Sequence, residues 1–117
     1  MAKILLVDDE EDIGLLLSGM LRRAGFETTI AMSLREADDK LRGHHYAVVF
    51  LDLNLPDGVG YSLIPLIRET GNTKIVVISA YDGERENASR EGADYFISKP
   101  FRKEKVLQAL QDLDVEN

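Results

Sequence analysis

Residues 3–10 read KILLVDDE, a short apolar run that ends abruptly in three acidic residues. The run from Lys3 to Val7 shows no alternation of apolar and polar positions, which is typical of a strand buried on both faces. From Asp12 onward the apolar residues recur with the spacing of an amphipathic helix, and Gly25 ends that pattern. The opening of the chain therefore predicts a buried strand followed by a helix.

The same alternation of strand and helix continues along the chain. Further strands are predicted at 27–31, 47–51, 74–78 and 95–98, and further helices after the capping box of Ser33 and Glu36 and at about 60–70, 82–91 and 102–113. Pro65 is expected to cost the third helix one backbone hydrogen bond or to kink it. The helix at 82–91 has almost no apolar stripe, so we expect it to be the loosest. Five such alternations predict a parallel sheet with helices on both faces.

Composition narrows the possible functions. The chain has 117 residues, of which 14 are basic and 21 acidic, for a net charge of −7, and it has no cysteine. The acidic balance disfavours direct nucleic-acid binding, and the lack of cysteine excludes disulfides and thiolate metal sites. No apolar stretch approaches the roughly 20 residues that a membrane span needs. We therefore expect one domain over residues 1–117, located in the cytoplasm, without membrane or nucleic-acid partners.

Polar residues suited to phosphate chemistry follow the apolar runs: Asp8, Asp9, Asp52, Ser79 and Lys99. Each alone fits a helix cap or a solvated loop, but the carboxyl ends of parallel strands meet in one crevice. Carboxylates brought together repel unless a cation intervenes, and carboxylate, carbonyl and water oxygens suit Mg²⁺. An ammonium group beside them would pair with phosphoryl oxygens. The pattern therefore predicts a magnesium-assisted site for a phosphoryl group.

Four segments of the chain carry a family resemblance. They are ILLVDDE (4–10), VVFLDLNLPDGVG (48–60), VVISAY (76–81) and GADYFISKPF (92–101). In order and spacing they resemble the receiver domain of two-component response regulators, and the resemblance covers essentially the whole chain. It implies a flavodoxin-like, doubly wound (βα)5 fold, whose five-stranded parallel sheet has the order 2-1-3-4-5 with helices on both faces.

The resemblance also implies a chemistry. Asp52 would be the phosphoacceptor, taking a phosphoryl group from the phosphohistidine of a sensor histidine kinase or a histidine phosphotransfer protein. Mg²⁺ would be held by Asp9 directly, by Asp8 mainly through water, by Asp52 and by the backbone carbonyl of Asn54. Lys99 would contact the phosphoryl group. Such a domain is not a conventional enzyme, because it catalyses only its own phosphorylation and dephosphorylation.

Further positions match the switch of this family. Ser79 and Phe96 would form the switch pair, repacking the face of the fourth helix, fifth strand and fifth helix, through which a downstream target or a second copy would bind. Asn54 and Tyr81 would tune the lifetime of the phosphoryl group. The bond between Lys99 and Pro100 is expected to be cis.

Two other functions compete with this interpretation. A haloacid-dehalogenase-type phosphohydrolase also uses an aspartate nucleophile, but it wants a second aspartate two residues later, where this chain has Asn54. A degenerate receiver that only docks partners would lack some of the reactive residues, and none is missing here. Glu10 is interpreted as a local charge at a helix start, with metal contact as the lesser option. Whether the domain acts alone or within a longer regulator stays open.

Overall fold

The computed structural model describes residues 1–117 and is built on a central sheet of five strands. The strands are β1 (Lys3–Val7), β2 (Glu27–Ala31), β3 (Val48–Asp52), β4 (Lys74–Ser79) and β5 (Tyr95–Ser98). All neighbouring pairs are parallel and the order is β2-β1-β3-β4-β5. The sheet order that the family resemblance implied is therefore confirmed.

Five helices pack on the two faces of this sheet. They are α1 (Glu11–Arg23), α2 (Leu34–Leu41), α3 (Ile64–Glu69), α4 (Glu84–Glu91) and α5 (Lys103–Asp112). One apolar cluster joins the sheet to α2, α3 and α4, and a second joins it to α1 and α5. Successive strand residues point to opposite faces, so each central strand supplies both clusters. No helix is both long enough and apolar enough to cross a membrane.

The third helical segment differs from the prediction of one helix interrupted by Pro65. Residues Gly60–Leu63 form a 3₁₀ turn, and the α-helix begins only at Ile64, with Pro65 in its first turn. The first N–H groups of a helix have no acceptor within the helix, so proline costs nothing there. The expected kink or lost hydrogen bond at Pro65 was wrong, because the helix starts later than its apolar pattern indicated.

A small hairpin lies between β3 and this turn. Residues Asn54–Leu55 pair antiparallel with Gly58–Val59, and the predicted turn at Asp57 connects them. The Asp57 carboxylate accepts hydrogen bonds from the backbone N–H groups of Leu34 (2.8 Å) and Arg35 (3.1 Å), at the start of α2. These bonds lower the pKa of Asp57 and tie the hairpin to a neighbouring helix.

Candidate functional site

The carboxyl edge of the sheet brings together four of the residues that the sequence singled out. Asp8 follows β1, Asp52 and Ser79 end β3 and β4, and Lys99 follows β5. Asp8, Asp52 and Ser79 are buried, and Lys99 exposes only 12% of its side chain. The Lys99 Nζ atom lies 3.1 Å from Asp8 Oδ2 and 3.4 Å from Asp52 Oδ2. The predicted convergence of these residues is confirmed.

Glu10 completes the group in a way that the sequence did not reveal. It occupies the N-cap position of α1, but its side chain makes no capping hydrogen bond. Its Oε1 atom instead accepts a hydrogen bond from Lys99 Nζ at 2.8 Å. The two residues are 89 positions apart in the chain, so no local pattern could have paired them.

The carboxylates form a cluster suited to a divalent cation. One oxygen each from Asp8, Glu10 and Asp52 lies within 4.8 Å of the others. Asp8 Oδ2 is buried and accepts no hydrogen bond, although the Lys99 ammonium lies nearby. A buried carboxylate oxygen without a donor is costly unless a cation compensates it. Hard oxygen ligands are those that Mg²⁺ prefers, so the residues present fit this ion.

The two other predicted magnesium ligands are placed less closely. Asp9 is exposed and does not belong to the three-carboxylate cluster, in which Glu10 takes the third place. Asn54 is also exposed, in the hairpin that follows β3. Direct coordination by Asp9 and by the Asn54 carbonyl therefore stays a prediction.

Burial and charge oppose each other at Asp52. Burial raises the pKa of this carboxyl to about 6, and the charge of Asp8 raises it further, whereas Lys99 and the backbone N–H of Asn54 lower it. For Lys99, burial lowers the pKa of the ammonium group, but the surrounding carboxylates outweigh this effect and raise it. At neutral pH the site therefore holds ionised Asp52 beside a permanently charged ammonium.

The backbone around Asp52 is closely packed. Gly60 lies so near the end of β3 that a Cβ atom on it would collide with the carbonyl oxygen of Asp52. The Gly60 N–H donates to the Leu53 carbonyl at 2.9 Å, which closes the loop against the strand. The absence of a side chain at Gly60 thus allows this loop to pass beside the site.

The predicted switch residues lie on one face of the sheet. Phe96 pairs in register with Val77, two positions before Ser79, so Ser79 and Phe96 point to the same side. Ser79 Oγ accepts a hydrogen bond from the Tyr81 N–H at 3.1 Å. The Phe96 ring is buried, and the guanidinium carbon of Arg85 lies 4.7 Å from its centroid. Phe96 therefore already lies inward.

Two further predicted residues flank the site. The Tyr81 side chain is 66% exposed and stands at the rim, where it does not cover Asp52. The peptide bond between Lys99 and Pro100 is cis, as expected.

Comparison with known proteins agrees with this geometry. Residues 4–111 match the family described as the response regulator receiver domain. The chain belongs to the response regulator receiver domain family. This membership confirms the resemblance drawn from the four sequence segments and favours a receiver over a haloacid-dehalogenase-type phosphohydrolase.

Individual relatives of this receiver domain show the same relationship. The transcriptional regulatory protein YxdJ of Bacillus subtilis is 36% identical over 113 residues, which cover 95% of this chain and 49% of YxdJ. The chain spans about half the length of the curated relatives it matches.

Solved structures match over nearly their full length. The response regulator TrrA of Thermotoga maritima, determined in complex with Mg²⁺ and beryllium fluoride, is 32% identical, with a TM-score of 0.86 over 97% of this chain and 99% of TrrA. The receiver domain of the sensor histidine kinase PA1611 of Pseudomonas aeruginosa, with a magnesium ion in its active-site cleft, is 28% identical, with a TM-score of 0.83 over 95% of both chains.

Proposed function

We propose that Asp52 of this receiver domain accepts a phosphoryl group from the phosphohistidine of a sensor histidine kinase or a histidine phosphotransfer protein. The observation that carries this proposal is the placement of a buried carboxylate, 3.4 Å from the Lys99 ammonium, at the carboxyl edge of a receiver sheet. Because the pKa of Asp52 is about 6, most of it is ionised at pH 7 and available as a nucleophile.

The transfer is an in-line displacement at phosphorus. A carboxylate oxygen of Asp52 forms a bond to phosphorus while the bond to the donor's imidazole nitrogen breaks, and the electron pair leaves with that nitrogen. The Lys99 ammonium neutralises charge on the phosphoryl oxygens. Water later attacks the aspartyl phosphate and returns the free carboxylate.

We infer that Mg²⁺ is the cofactor, held by Asp8, Asp9, Asp52 and the backbone carbonyl of Asn54. When bound, Mg²⁺ supplies positive charge to the phosphoryl oxygens. Support comes from the carboxylate cluster and from the unpartnered Asp8 oxygen. Relatives determined with magnesium at the corresponding place in the fold add to this support.

We propose that Ser79 and Phe96 convert phosphorylation into a change of the surface formed by α4, β5 and α5. A groove of about 650 Å³ lies there, and it is lined by Arg85, Phe96, Phe101, Arg102 and Lys105 among others. Drawing the Ser79 hydroxyl toward the phosphoryl group would repack the ring next to this groove. A downstream target or a second copy of the chain would then bind this surface.

Asn54 and Tyr81 are proposed to tune the lifetime of the aspartyl phosphate. Both are exposed at the rim of the site, where their side chains would control the approach of water. We further propose that residues 1–117 act as one receiver unit in the cytoplasm, where such kinases present their phosphohistidine.

The test is chemical phosphorylation with acetyl phosphate and Mg²⁺, followed by intact mass measurement. The wild-type protein is expected to gain one phosphoryl group, and Asp52→Asn to gain none. Asp39→Asn is the matched control, because Asp39 is an exposed aspartate of α2 and should leave labelling unchanged. Full labelling of Asp52→Asn would refute the proposal, and steady hydrolysis of p-nitrophenyl phosphate by the wild type would instead favour the phosphohydrolase.

A further inference from the structure

The ion pair between Glu10 and Lys99 has no part in the transfer chemistry described above. We propose that Glu10 is a positioning residue that holds the Lys99 ammonium in the resting site and competes with the phosphoryl group for it. This inference rests on the proposed function and adds a control on how readily the site accepts its phosphoryl group.

The contacts of Lys99 show which partner holds it. Its Nζ atom lies 2.8 Å from Glu10, against 3.1 Å from Asp8 and 3.4 Å from Asp52. Of these three contacts, the one with Glu10 has the geometry of a hydrogen bond. In the resting site, the ammonium is therefore directed toward Glu10 more than toward the acceptor carboxylate.

Burial shows which partner can be given up. Asp8 and Asp52 are 1% and 5% exposed, so neither carboxylate can leave the ammonium for water. The side chain of Glu10 is 58% exposed, and it can turn into solvent with little desolvation cost. Glu10 is thus the partner that the ammonium can exchange for another anion.

A phosphoryl group on Asp52 is that other anion. It adds oxygens with further negative charge beside Lys99, and a lysine ammonium binds phosphate as a compact point charge. Moving Nζ toward these oxygens requires release of Glu10. The strength of the pair with Glu10 is therefore subtracted from the binding free energy of the phosphoryl group.

Beryllium fluoride with saturating Mg²⁺ serves as the probe, because it mimics a phosphoryl group on a carboxylate. Glu10→Gln keeps the shape of the side chain but removes its charge. We expect it to bind beryllium fluoride about three- to fivefold more tightly than wild type, the upper range for a partly exposed ion pair. Glu11→Gln removes the neighbouring exposed charge, and it should leave the affinity within about 1.5-fold of wild type, the lower end of that range.

Every outcome of this comparison is decisive. Weaker binding by Glu10→Gln would mean that Glu10 serves the metal, and equal tightening by Glu11→Gln would mean that only net charge matters. Unchanged affinity of Glu10→Gln would also refute the competition. If the wild type bound no beryllium fluoride at all, the proposed function itself would fail.

A second readout is independent of affinity. A crystal structure of the wild type with Mg²⁺ and beryllium fluoride is expected to place Lys99 Nζ beyond about 4 Å from the Glu10 carboxylate, the outer limit of an ion pair. Retention of the present contact in that complex would overturn the inference, even if the affinities agreed with it.

Discussion

The two edges of the sheet both carry buried polar groups, but they satisfy them in opposite ways. At the amino edge, the carboxylate of Asp94 accepts hydrogen bonds from the Ile75 N–H (2.8 Å) and from Arg68 (3.1 Å). Arg68 also donates to the Thr73 carbonyl at 2.8 Å, and the Thr73 hydroxyl donates to the Tyr46 carbonyl at 2.6 Å. Every member of this network has a partner.

At the carboxyl edge, the same kinds of group are left in mutual conflict. Asp8 keeps an oxygen without a hydrogen bond, and burial with the charge of Asp8 raises the pKa of Asp52 to about 6. A satisfied network stabilises the fold, whereas an unsatisfied one stores free energy that a ligand can release. The difference indicates that the amino edge is structural and the carboxyl edge is built for an incoming cation and phosphoryl group.

The largest expected effect breaks the amino edge. Asp94→Ala leaves the Ile75 N–H and the Arg68 guanidinium without their acceptor, and it should lower the free energy of unfolding by about 2–3 kcal/mol. Urea denaturation measures this loss. The extent of acetyl phosphate labelling, compared under conditions where both proteins are folded, should not change. A loss of labelling without a loss of stability would contradict the division between the edges.

The next effect has the opposite sign. Asp52→Asn should raise the free energy of unfolding by about 1–2 kcal/mol at pH 7.5, because it removes a buried charge that lies near Asp8. The gain is held below the full pKa shift because Lys99 loses a partner.

The pH dependence of that gain follows from the sign of the shift. The pKa of Asp52 is about 6 in the folded state against 3.8 ordinarily, so the folded protein binds more protons between these values. The cost of the Asp52 charge therefore grows as pH rises from about 4 to 6, and it is complete above 6. The advantage of Asp52→Asn should shrink toward pH 4. An advantage that stays constant across this window would contradict the raised pKa.

A smaller effect should come from magnesium itself. At ten times its dissociation constant, Mg²⁺ should raise the free energy of unfolding of the wild type by about 1.4 kcal/mol, through preferential binding to the folded state. Thermal unfolding with and without Mg²⁺ measures this gain. Asp52→Asn should show less stabilisation at the same concentration, and Asp39→Asn should match the wild type. Equal stabilisation of all three proteins would place the metal elsewhere.

The smallest effect tests a contact outside both edges. Arg85 stacks over the Phe96 ring but is itself largely exposed, so Arg85→Gln should cost about 0.5–1 kcal/mol of stability. Phe96 should remain inward, and the ring signals of Phe96 in NMR spectra report its position. A loss above 2 kcal/mol, the upper end for desolvated stacking, would show that this pair stabilises the fold more than its exposure indicates.

Local patterns in the sequence predicted much of the fold. Unbroken apolar runs located the strands, and the capping box at Ser33 is present, with its hydroxyl accepting from the Glu36 N–H at 3.1 Å. The sparse apolar pattern of α4 matches the burial of Ala88 alone within that helix. Helix periodicity could not separate a 3₁₀ turn from an α-helix before Pro65, since both bury residues three positions apart.

The candidate site was predicted in its membership more than in its pairing. Strand ends located Asp8, Asp52 and Lys99, because parallel strands converge at one edge. The bond between Glu10 and Lys99 could not be predicted, since it depends on side-chain directions across the crevice. The same holds for Asp57, which caps a helix more than 20 residues away.

The most direct test of the central claim is to locate the phosphoryl group chemically. Borohydride reduces an aspartyl phosphate to homoserine, so the acetyl phosphate-treated protein can be reduced, digested and mapped by mass spectrometry. We expect homoserine at position 52 and at no other aspartate. Homoserine at Asp8 or Asp9, or a stable phosphate on Ser79 or a histidine, would contradict the assignment of Asp52 as the acceptor.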